Sequence, residues 1–495
     1  MKLSELIKDL GFKEIKGPLN IEISGVSNDS RQVKQGDLFV CIKGFSFDGH
    51  SFVREAIEQG SVALVIENDL EISCPNITTI KVSDSRRALS LLANRFYNFP
   101  SQKLNLIGVT GTNGKTTIVY MLRSILSKAG YHTGLLSTAQ NIIGNKINTS
   151  QMTTMESLDL QKNLAEMVKQ KLDYVVIEVS SHALQLSRVV GCDFEIGIFT
   201  NISKEHFEIH KDFSHYLEAK KKLFLYLNDS KKDKSRKFAI INLDEEHSRD
   251  FISCNKVNLI TYGLKKNAQV RALEIEKGLK YITFLADTPA GREKIYLNFG
   301  GEYNIYNALA AIAAAITQKI PLEVISQALK NFYGAPGRYK ILDLGQDYTI
   351  IIDFAHNYHG LGNILKYLRN FAQKRIITVF GHGGEKYHKV RPVIGRVLGN
   401  YCDHIIITAD NPKSEDPLDI AREIEKGVKR SGKDYNIIVE RVEAIKYALS
   451  IAKQGDIVLI AGKGPENEQI YQHRIIPHND EEVVKSILRG KGENC

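Results

Sequence analysis

A glycine-rich turn at residues 111–117, Gly-Thr-Asn-Gly-Lys-Thr-Thr, carries the residue types best suited to chemistry in this chain of 495 residues. Glycines let a backbone approach an anion closely, a lysine adds positive charge, and a threonine hydroxyl can reach a magnesium ion. The turn therefore predicts a site for the phosphates of ATP or GTP. The predicted contacts are Gly111, Thr112, Asn113, Gly114, Lys115, Thr116 and Thr117.

The elements on either side of this turn support the prediction. Residues 104–109 form an apolar run typical of a buried strand, and residues 115–128 have the apolar spacing of a helix. Free backbone N–H groups and the positive end of the helix dipole would therefore face an anion, which disfavours a chance match. The spacing departs from the usual phosphate loop, because Val109 occupies the position of the first glycine.

Two further strands of the same segment end in polar residues. Residues 174–178 predict a buried strand ending at Glu178, and ligands in open α/β sheets bind beyond the carboxyl ends of strands. Glu178 is therefore either a magnesium ligand or a cap of the next helix. Residues 196–200 predict the next strand, which leads to His206. Such a histidine is commonly structural, but at a strand end it is also a candidate for contact with a metal or a phosphate.

The pattern of elements predicts an α/β protein of three domains. Residues 1–100 suit a small α/β domain, and residues 101–335 alternate strands and helices like a doubly wound parallel sheet. A Pro/Gly hinge near residue 334 opens a third domain, 336–495, which predicts a second, Rossmann-like sheet. In that sheet too, each apolar strand ends in a polar or glycine cluster.

Composition excludes several classes of function. The 66 basic residues are interspersed with 57 acidic ones and form no long arm, so the net charge of +9 does not indicate nucleic-acid binding. Six scattered cysteines without a C-x-x-C pair indicate neither a disulfide framework nor a zinc site. No apolar run is long enough to cross a bilayer and the first residues lack a signal-peptide core, so we expect a cytoplasmic protein without membrane insertion.

Motifs spread along the whole chain resemble those of the Mur ligases, and more closely those of the members that add a diamino acid to UDP-MurNAc-L-Ala-D-Glu. They are DSR at 29–31, DGH at 48–50, GTNGKTT at 111–117, EVSSHAL at 178–184, FTNISKEH at 199–206, YLEAKKKLF at 216–224, DFAH at 353–356, DNPKSEDP at 410–417 and AGKGPE at 461–466. Several motifs in the same order make the resemblance specific.

The resemblance implies an ATP-dependent amide ligase of peptidoglycan synthesis. It implies the three-domain Mur ligase architecture, with Mg²⁺ as cofactor and ATP as co-substrate. The γ-phosphoryl group of ATP would pass to a substrate carboxylate, and an amine would then displace the phosphate. The implied partners are small molecules only, and we expect a monomer.

The resemblance also implies roles for individual residues. Lys115, His206 and Lys220 would be catalytic; Thr116, Glu178, His206 and Lys220 would hold magnesium, with Lys220 carbamylated to N6-carboxylysine so that it resembles a carboxylate. The ATP site would further include Asn304, Arg338, Asp353 and His356. Ser30 would contact uridine, and the muramoyl dipeptide would meet Thr153, Thr154, Ser180 and Arg188. The amino acid would meet Arg391, Asp410, Asn411, Lys413, Gly462 and Glu466.

The sequence departs from the family pattern where the amino acid is selected. Members that add diaminopimelate usually read D-N-P-R, and here Lys413 replaces that arginine, which keeps the charge but loses the bidentate fork. An uncompensated cation would repel the ε-ammonium of L-lysine, so we favour meso-2,6-diaminopimelate. Asn357-Tyr358, in place of the common Thr-Pro, instead favours L-lysine, and L-ornithine is a further alternative.

Two other readings compete with this one. Folylpolyglutamate synthetase shares the central fold and the acyl-phosphate chemistry, but it would not need residues 1–100 with their DSR and DGH elements. A non-catalytic nucleotide-binding regulator is disfavoured because Lys115, Glu178, His206 and Lys220 are all present.

Overall fold

A computed structural model describes residues 1–44, 47–70, 74, 76–150, 152–203, 210–265 and 267–492. Within these residues the strands form sheets of five, eleven and six strands and one two-stranded hairpin. The first three sheets follow one another along the chain, and helices cover them. No helix among the described residues combines the length and apolar character needed to cross a membrane.

The N-terminal sheet has the strand order β1-β5-β4-β3-β2, with β1 antiparallel to β5 and the other pairs parallel. Its strands are β1 (Glu14–Lys16), β2 (Gly25–Ser27), β3 (Asp37–Val40), β4 (Ala63–Ile66) and β5 (Thr78–Lys81), and its helices are α1 (Leu3–Leu6), α2 (Val53–Glu58) and α3 (Ser85–Phe96). The small α/β fold expected for this part of the chain is therefore present.

The central sheet contains the phosphate loop. Its strands are β6 (Asn105–Thr110), β7 (Thr133–Leu136), β8 (Gln140–Ile143), β9 (Lys146–Thr149), β10 (Tyr174–Glu178), β11 (Ile196–Phe199), β12 (Phe238–Asn242), β13 (Asn258–Gly263), β14 (Val270–Lys277), β15 (Ile282–Thr288) and β16 (Gly291–Leu297). Its helices are α4 (Lys115–Lys128), α5 (Ser157–Lys169), α6 (Ser181–Gln185), α7 (Phe213–Asp229), α8 (Ser248–Ser253), α9 (Tyr303–Thr317) and α10 (Leu322–Lys330).

The parallel core of this sheet has the order β7-β10-β6-β11-β12-β13-β14. The chain builds outwards from β6 in both directions, which confirms the predicted doubly wound arrangement. The loop after β6 thus lies between the ends of β10 and β11, at the point where the strand order reverses and ligands bind in such folds. Antiparallel strands β8 and β9 extend one edge, and β15 and β16 extend the other.

Helix α9 packs against α4 through a face of small residues. Residues 308–315 are buried, and most of them are alanines, so the helix backbones approach closely. This packing holds α9 beside the phosphate loop, and Asn307 in α9 accordingly faces Gly114.

The C-terminal sheet has the order β17-β18-β22-β19-β20-β21, parallel except for β17. Its strands are β17 (Lys340–Leu342), β18 (Thr349–Asp353), β19 (Ile376–Phe380), β20 (His404–Ile407), β21 (Asp434–Ile437) and β22 (Ile457–Ala461); β23 (Glu468–Tyr471) and β24 (Arg474–Pro477) form the separate hairpin. The helices are α11 (Tyr358–Phe371), α12 (Arg391–Tyr401), α13 (Pro417–Val428), α14 (Arg441–Ile451) and α15 (Asp480–Gly492).

Candidate active site

The two glycines of the phosphate loop are required by both conformation and space. Gly111 has a φ of +150° and Gly114 a φ of +89°. A Cβ atom at Gly111 would lie 1.8 Å from Thr200 Oγ1, and one at Gly114 would lie 2.4 Å from Asn307 Oδ1. A side chain at either position would therefore deform the loop, which confirms the close approach inferred from the sequence.

Neighbouring strand β11 holds this loop through two polar residues that the sequence analysis did not select. The amides of Thr112 and Asn113 donate to the backbone oxygen and Oδ1 of Asn201, each at 2.8 Å. Thr200 Oγ1 donates to the Asn113 carbonyl at 2.7 Å. Both residues directly follow an apolar strand, so the same argument that selected Glu178 could have found them.

Lys115 lies over the loop that precedes it. Its Nζ donates to the carbonyls of Gly111 and Thr112, both at 2.9 Å. The ammonium therefore sits at the N-terminus of α4, where a phosphate group would also be held. Thr116, one residue further, is buried, and its Oγ1 accepts a hydrogen bond from Arg338 Nη2 at 3.2 Å.

Glu178 is buried at the end of β10, and a residue of the adjacent strand's loop holds its carboxylate. The backbone N–H and the hydroxyl of Thr138 donate to its two oxygens at 2.9 and 3.1 Å. The hydroxyl of Ser180, not Glu178, caps helix α6, so the capping alternative is wrong. Thr138 follows β7, and the sequence analysis missed it.

The residues predicted to meet the muramoyl dipeptide lie together beside Glu178. Thr154 Oγ1 donates to the Glu178 carbonyl at 2.7 Å and accepts from the amide of Ser180 at 3.0 Å. The hydroxyl oxygens of Thr153 and Thr138 lie 3.1 Å apart, and Arg188 Nη1 donates to the Thr154 carbonyl at 3.0 Å. These four predicted residues form one connected polar surface.

Ser30 is separate from that group. It lies in the N-terminal domain, in a short 3₁₀ turn, and its hydroxyl donates to Glu55 Oε2 at 2.7 Å. Within the described parts of the chain it therefore shares no hydrogen bond with the polar surface beside Glu178.

Lys220 reaches the phosphate loop from helix α7. Its side chain is buried, its Nζ donates to the Gly111 carbonyl at 2.8 Å, and it lies 4.5 Å from the centre of the Tyr216 ring. The adjacent Lys221 instead pairs with Glu218 at 2.7 Å. Lys222 Nζ lies 3.5 Å from the Leu184 carbonyl. Of the three successive lysines, Lys220 is thus the one whose Nζ contacts the phosphate loop. His206 lies outside the described residues.

The donors near the loop suit a magnesium ion. Thr116 and Glu178 offer the oxygen ligands that Mg²⁺ prefers, and this ion usually completes its shell with water and phosphate. Within the described ranges no group of three or more histidine, cysteine or acidic side chains could hold a metal alone. The site thus fits a magnesium ion that is bound together with a nucleotide.

Arg338 connects the central and C-terminal domains. Its guanidinium lies 4.3 Å from the centre of the Phe354 ring while it contacts Thr116. Asp353, at the end of β18, accepts hydrogen bonds from the amides of Tyr339 at 2.7 Å and Ala355 at 2.8 Å. Burial raises the pKa of Asp353, and the nearby positive charge of Arg338 opposes this change.

A cleft of about 500 Å³ opens between these two domains. It is lined by parts of the phosphate loop, by helix α9 and by the ends of β12 and β18. Seven of the eleven predicted ATP residues line it, namely Asn113, Gly114, Thr117, Asn304, Arg338, Asp353 and His356, whereas Gly111, Thr112, Lys115 and Thr116 are not part of its lining. Asn304 Oδ1 accepts from Asn307 Nδ2 at 2.9 Å, so these two side chains share one face as expected.

The cleft also contains an acidic residue that the sequence analysis missed. Asp244 follows β12, and its Oδ2 accepts from the Leu264 amide at 2.7 Å and from the Tyr306 hydroxyl at 3.0 Å. Its place after a strand end could have identified it.

A second polar cluster lies where β20 and β22 end in the C-terminal sheet. Asn411 Nδ2 donates to Glu466 Oε2 at 2.8 Å. Lys463, which the sequence analysis did not select, donates to Asn411 Oδ1 at 2.9 Å and to Glu466 Oε2 at 3.0 Å, and it lies 3.4 Å from Asp410. Gly462 has a φ of +106°, and a Cβ there would lie 3.0 Å from the Gly381 carbonyl.

Lys413 does not present an uncompensated charge, so the premise by which meso-diaminopimelate was favoured over L-lysine is wrong. Its Nζ pairs with Glu385 Oε2 at 3.1 Å, and both side chains are nearly half exposed. Hydrogen bonds from Ser414 and Lys413 lower the pKa of Glu385. The charge at this position is therefore set by Lys413 and Glu385 together.

Arg391 is buried and already bound to acidic side chains. Its guanidinium donates to both oxygens of Glu415, at 2.8 and 3.0 Å, and to Glu423 at 3.0 Å. It could contact the carboxylate of an incoming amino acid only if one of these bonds were exchanged. Its predicted role is therefore possible only with a rearrangement of Glu415 or Glu423.

Comparison with known proteins agrees with this arrangement. A family model described as the Mur ligase middle domain matches residues 109–315, the glutamate ligase domain of Mur ligases matches 337–464, and the Mur ligase family catalytic domain matches 22–97. A UDP-N-acetylmuramoyl-L-alanyl-D-glutamate--2,6-diaminopimelate ligase of Caldanaerobacter subterraneus subsp. tengcongensis is 42% identical over 488 residues, which cover 99% of each chain. The chain belongs to the Mur ligase family.

Two further proteins show the extent of the similarity. The same-named ligase of Alkaliphilus oremlandii is 42% identical to this Mur ligase over 495 residues, covering 99% of this chain and 100% of that one. A solved structure, also of a UDP-N-acetylmuramoyl-L-alanyl-D-glutamate--2,6-diaminopimelate ligase, is 28% identical with a TM-score of 0.69 and covers 99% of both chains. The family predicted from the motifs is therefore confirmed. The predicted three-domain fold is confirmed as well.

Proposed function

We propose that this Mur ligase joins meso-2,6-diaminopimelate to UDP-N-acetylmuramoyl-L-alanyl-D-glutamate at the expense of ATP, in peptidoglycan synthesis. One observation carries the proposal: the phosphate loop of the central sheet directly contacts the C-terminal domain, through Arg338 to Thr116 at 3.2 Å and Asn357 to Asn113 at 3.4 Å. A nucleotide at one sheet and an amino acid at the other can therefore meet at a single carboxylate. The relatives named above carry this substrate pair in their names.

The chemistry has two steps. The dipeptide carboxylate attacks the γ-phosphorus of ATP, the bond to the β-phosphate oxygen breaks, and ADP leaves. The amine of the amino acid then attacks the acyl carbon, loses a proton, and expels inorganic phosphate as the amide forms. Enzymes accelerate such transfers mainly by positioning the reactants and neutralising oxygen charge.

The loop residues provide that positioning. The amides at the start of α4 and the Lys115 ammonium hold the phosphates, and Arg338 adds a second cation beside Thr116. Thr116 and Glu178 would hold magnesium, which when bound neutralises charge on the phosphate oxygens. Asn304, Asp353 and His356 line the remainder of the nucleotide cleft.

Lys220 is a further proposed ligand of the metal site. Its Nζ approaches the phosphate loop from a buried position, which is where a ligand near the γ-phosphate would be needed. We assign it as the carbamylated lysine, since a carbamate presents oxygen ligands while an ammonium presents none. His206 is its proposed partner at a second magnesium ion.

The remaining assignments follow the polar surfaces. Thr153, Thr154, Ser180 and Arg188 would bind the muramoyl dipeptide, and Ser30 would bind uridine. Asp410, Asn411, Gly462 and Glu466 would hold the distal end of the amino acid, and Lys413 its carboxylate. Arg391 would grip the other carboxylate after an exchange with Glu415.

L-lysine is the second candidate for the amino acid, and one specific observation favours it. Because Glu385 offsets the charge of Lys413, the ε-ammonium of lysine would not be strongly repelled there. L-ornithine is a further candidate for the same reason, because it too carries a side-chain ammonium.

The deciding experiment measures phosphate release from ATP with UDP-MurNAc-L-Ala-D-Glu and, in separate reactions, meso-diaminopimelate, L-lysine and L-ornithine. We expect release only when the dipeptide and an amino acid are both present, with diaminopimelate preferred. Release without an amino acid would contradict the ligase. Equal rates with all three amino acids would contradict the proposed selectivity and leave the ligase reaction intact.

We further propose that the protein acts as a monomer in the cytoplasm on small molecules, without nucleic acid. We place the domain boundaries near residues 100 and 335, between α3 and β6 and between α10 and β17. Light scattering after size-exclusion chromatography should give the mass of one chain, 55.6 kDa. A dimer mass would contradict the monomer.

A further inference from the structure

Lys463 is an ammonium buried beneath the amino-acid cluster. It follows β22 between two glycines of positive φ, Gly462 and Gly464, and its side chain is 0% exposed. Its Nζ lies 2.9 Å from Asn411 Oδ1, 3.0 Å from Glu466 Oε2 and 3.4 Å from Asp410 Oδ1. An ammonium has three hydrogens to donate, so these three side chains occupy its whole donor capacity.

A buried lysine with only a structural role would be energetically unfavourable at this position. Burying a charge is unfavourable unless partners compensate it, and well-packed apolar residues often serve a fold equally well. The partners of Lys463 are moreover the side chains that face the amino-acid site. Glu466 retains about a third of its side-chain exposure, while Asp410 is nearly buried. The buried lysine thus contacts the side chains that face the ligand, on the side away from the ligand.

The contacts fix the orientation of Glu466. Its Oε2 accepts from both Lys463 Nζ and Asn411 Nδ2, at 3.0 and 2.8 Å. Among the described residues its Oε1 accepts no hydrogen bond, so this oxygen can accept one from a ligand ammonium. The Asn411 side chain is fixed as well, because its Oδ1 also accepts from the amide of Ile470 at 3.1 Å.

The contacts also set the charge of the site. Asp410 and Glu466 carry two negative charges, and Lys463 cancels one of them. The neighbouring Arg441 forms its own buried pair with Asp480 at 2.7 Å, so it leaves this balance nearly unchanged. One net negative charge matches one ligand ammonium.

We propose that Lys463 is a positioning residue for amino-acid binding: it orients Glu466 and Asn411, and it limits the site to a single ammonium. This rests on the proposed function, since it takes the cluster to be the amino-acid site. The chemical class admitted is an amino-acid end that carries one ammonium.

The test is Lys463→Met, which fills the same space without donor or charge, compared with Lys485→Met, which removes a partly exposed, ion-paired lysine of the same domain. Loss of charge-assisted hydrogen bonds should raise the KM for meso-diaminopimelate by about 10-fold to 100-fold. The KM values for ATP and for UDP-MurNAc-L-Ala-D-Glu, and kcat at saturating amino acid, should stay within about threefold, since those sites are separate. Lys485→Met should match the wild type.

A second variant keeps the test informative if Lys463→Met does not fold. Lys463→Gln retains hydrogen-bond donors but not the charge. We expect the KM for meso-diaminopimelate to rise less than in Lys463→Met, again with little change in the KM values for ATP and UDP-MurNAc-L-Ala-D-Glu. An unchanged KM for the amino acid in a folded variant, or an equal loss for all three substrates, would overturn the proposal. Absence of turnover by the wild type with every amino acid would instead overturn the proposed function, so the two failures are distinguishable.

Discussion

The phosphate loop and the amino-acid cluster both place a lysine after a glycine at the end of a strand, yet they are built differently. Lys115 begins a long helix and donates to backbone carbonyls of its own loop. Lys463 is enclosed by side chains from two separate loops. A site made mainly of backbone depends on local conformation, whereas a site made of side chains depends on charge balance between distant segments.

Among changes near the phosphate loop, loss of Lys220 should have the largest effect on turnover. If Lys220 carries the carbamate, Lys220→Ala should lower turnover by about a thousandfold or more, because charge neutralisation at the transferring phosphate dominates such reactions. Phosphate release measures the rate, and circular dichroism checks the fold. Lys221→Ala is the matched control, since that partly exposed lysine pairs with Glu218 and not with the phosphate loop. A near-normal rate in Lys220→Ala would remove the carbamate hypothesis.

A glycine pair tests whether the phosphate loop depends on close packing. Gly114 and Gly130 have nearly the same φ, +89° and +91°, but only Gly114 is crowded by a neighbouring atom within 4 Å. Gly130→Ala should cost about 1 kcal/mol of stability from backbone strain and keep its activity. Gly114→Ala should have the same backbone strain, and its kcat/KM should also fall about a hundredfold because the loop shifts away from the phosphates. Urea unfolding and phosphate release measure the two quantities.

Equal activity of the two alanine variants would contradict the view that this loop acts through the fit of its backbone. The loss of stability should be at least as large in Gly114→Ala as in Gly130→Ala, since both positions share the positive φ and only Gly114 is also crowded.

The charged C-terminal region should respond to acid through His382. Burial lowers the pKa of His382 to about 3, with Lys386 and Arg391 adding to the effect. Between this value and the ordinary pKa of about 6.5, the unfolded chain binds a proton that the folded chain does not. Stability should therefore fall with decreasing pH in that window, by up to about 1.4 kcal/mol per pH unit from this group.

His382→Asn should remove that contribution. Urea unfolding of both proteins at pH 7 and pH 5 gives the difference in slope, with other acid-sensitive groups cancelling. The same slope in both proteins would show that His382 does not titrate as a buried neutral group.

Lys413 should give the smallest effect. Lys413→Arg would restore a bidentate fork for a carboxylate, and we expect the KM for meso-diaminopimelate to fall about threefold, because exposed ion pairs contribute little. The KM for L-lysine should not fall. A lower KM for both amino acids would mean that this position does not read the distal carboxylate.

Much of the fold was predictable because its signals are local. Helix α4 begins and ends where the apolar spacing placed it, and the apolar runs before Glu178 and Asp353 are strands as expected. The antiparallel strands at both edges of the central sheet were not predicted, since short strands such as β9 are exposed and lack a continuous apolar pattern.

The site was predictable to a similar degree. Thr153, Thr154, Ser180 and Arg188 do lie together, and Asn304 meets Asn307. Thr138, Thr200 and Asn201 were missed although each follows a strand, because a neutral polar side chain after a strand is equally typical of an ordinary turn. The partner of Lys413 could not be found, since Glu385 lies 28 residues away in sequence and only the packed loops bring the two together.

By itself the sequence determined the phosphate loop, its flanking strand and helix, and the family, because these depend on neighbouring residues and on motifs in order. Tertiary structure alone decided that Lys220 Nζ meets the Gly111 carbonyl, that Glu415 already holds Arg391, and that Lys463 balances Asp410 and Glu466. Ionic partners are set by distance in space, and the chain spacing of charged residues does not determine that distance.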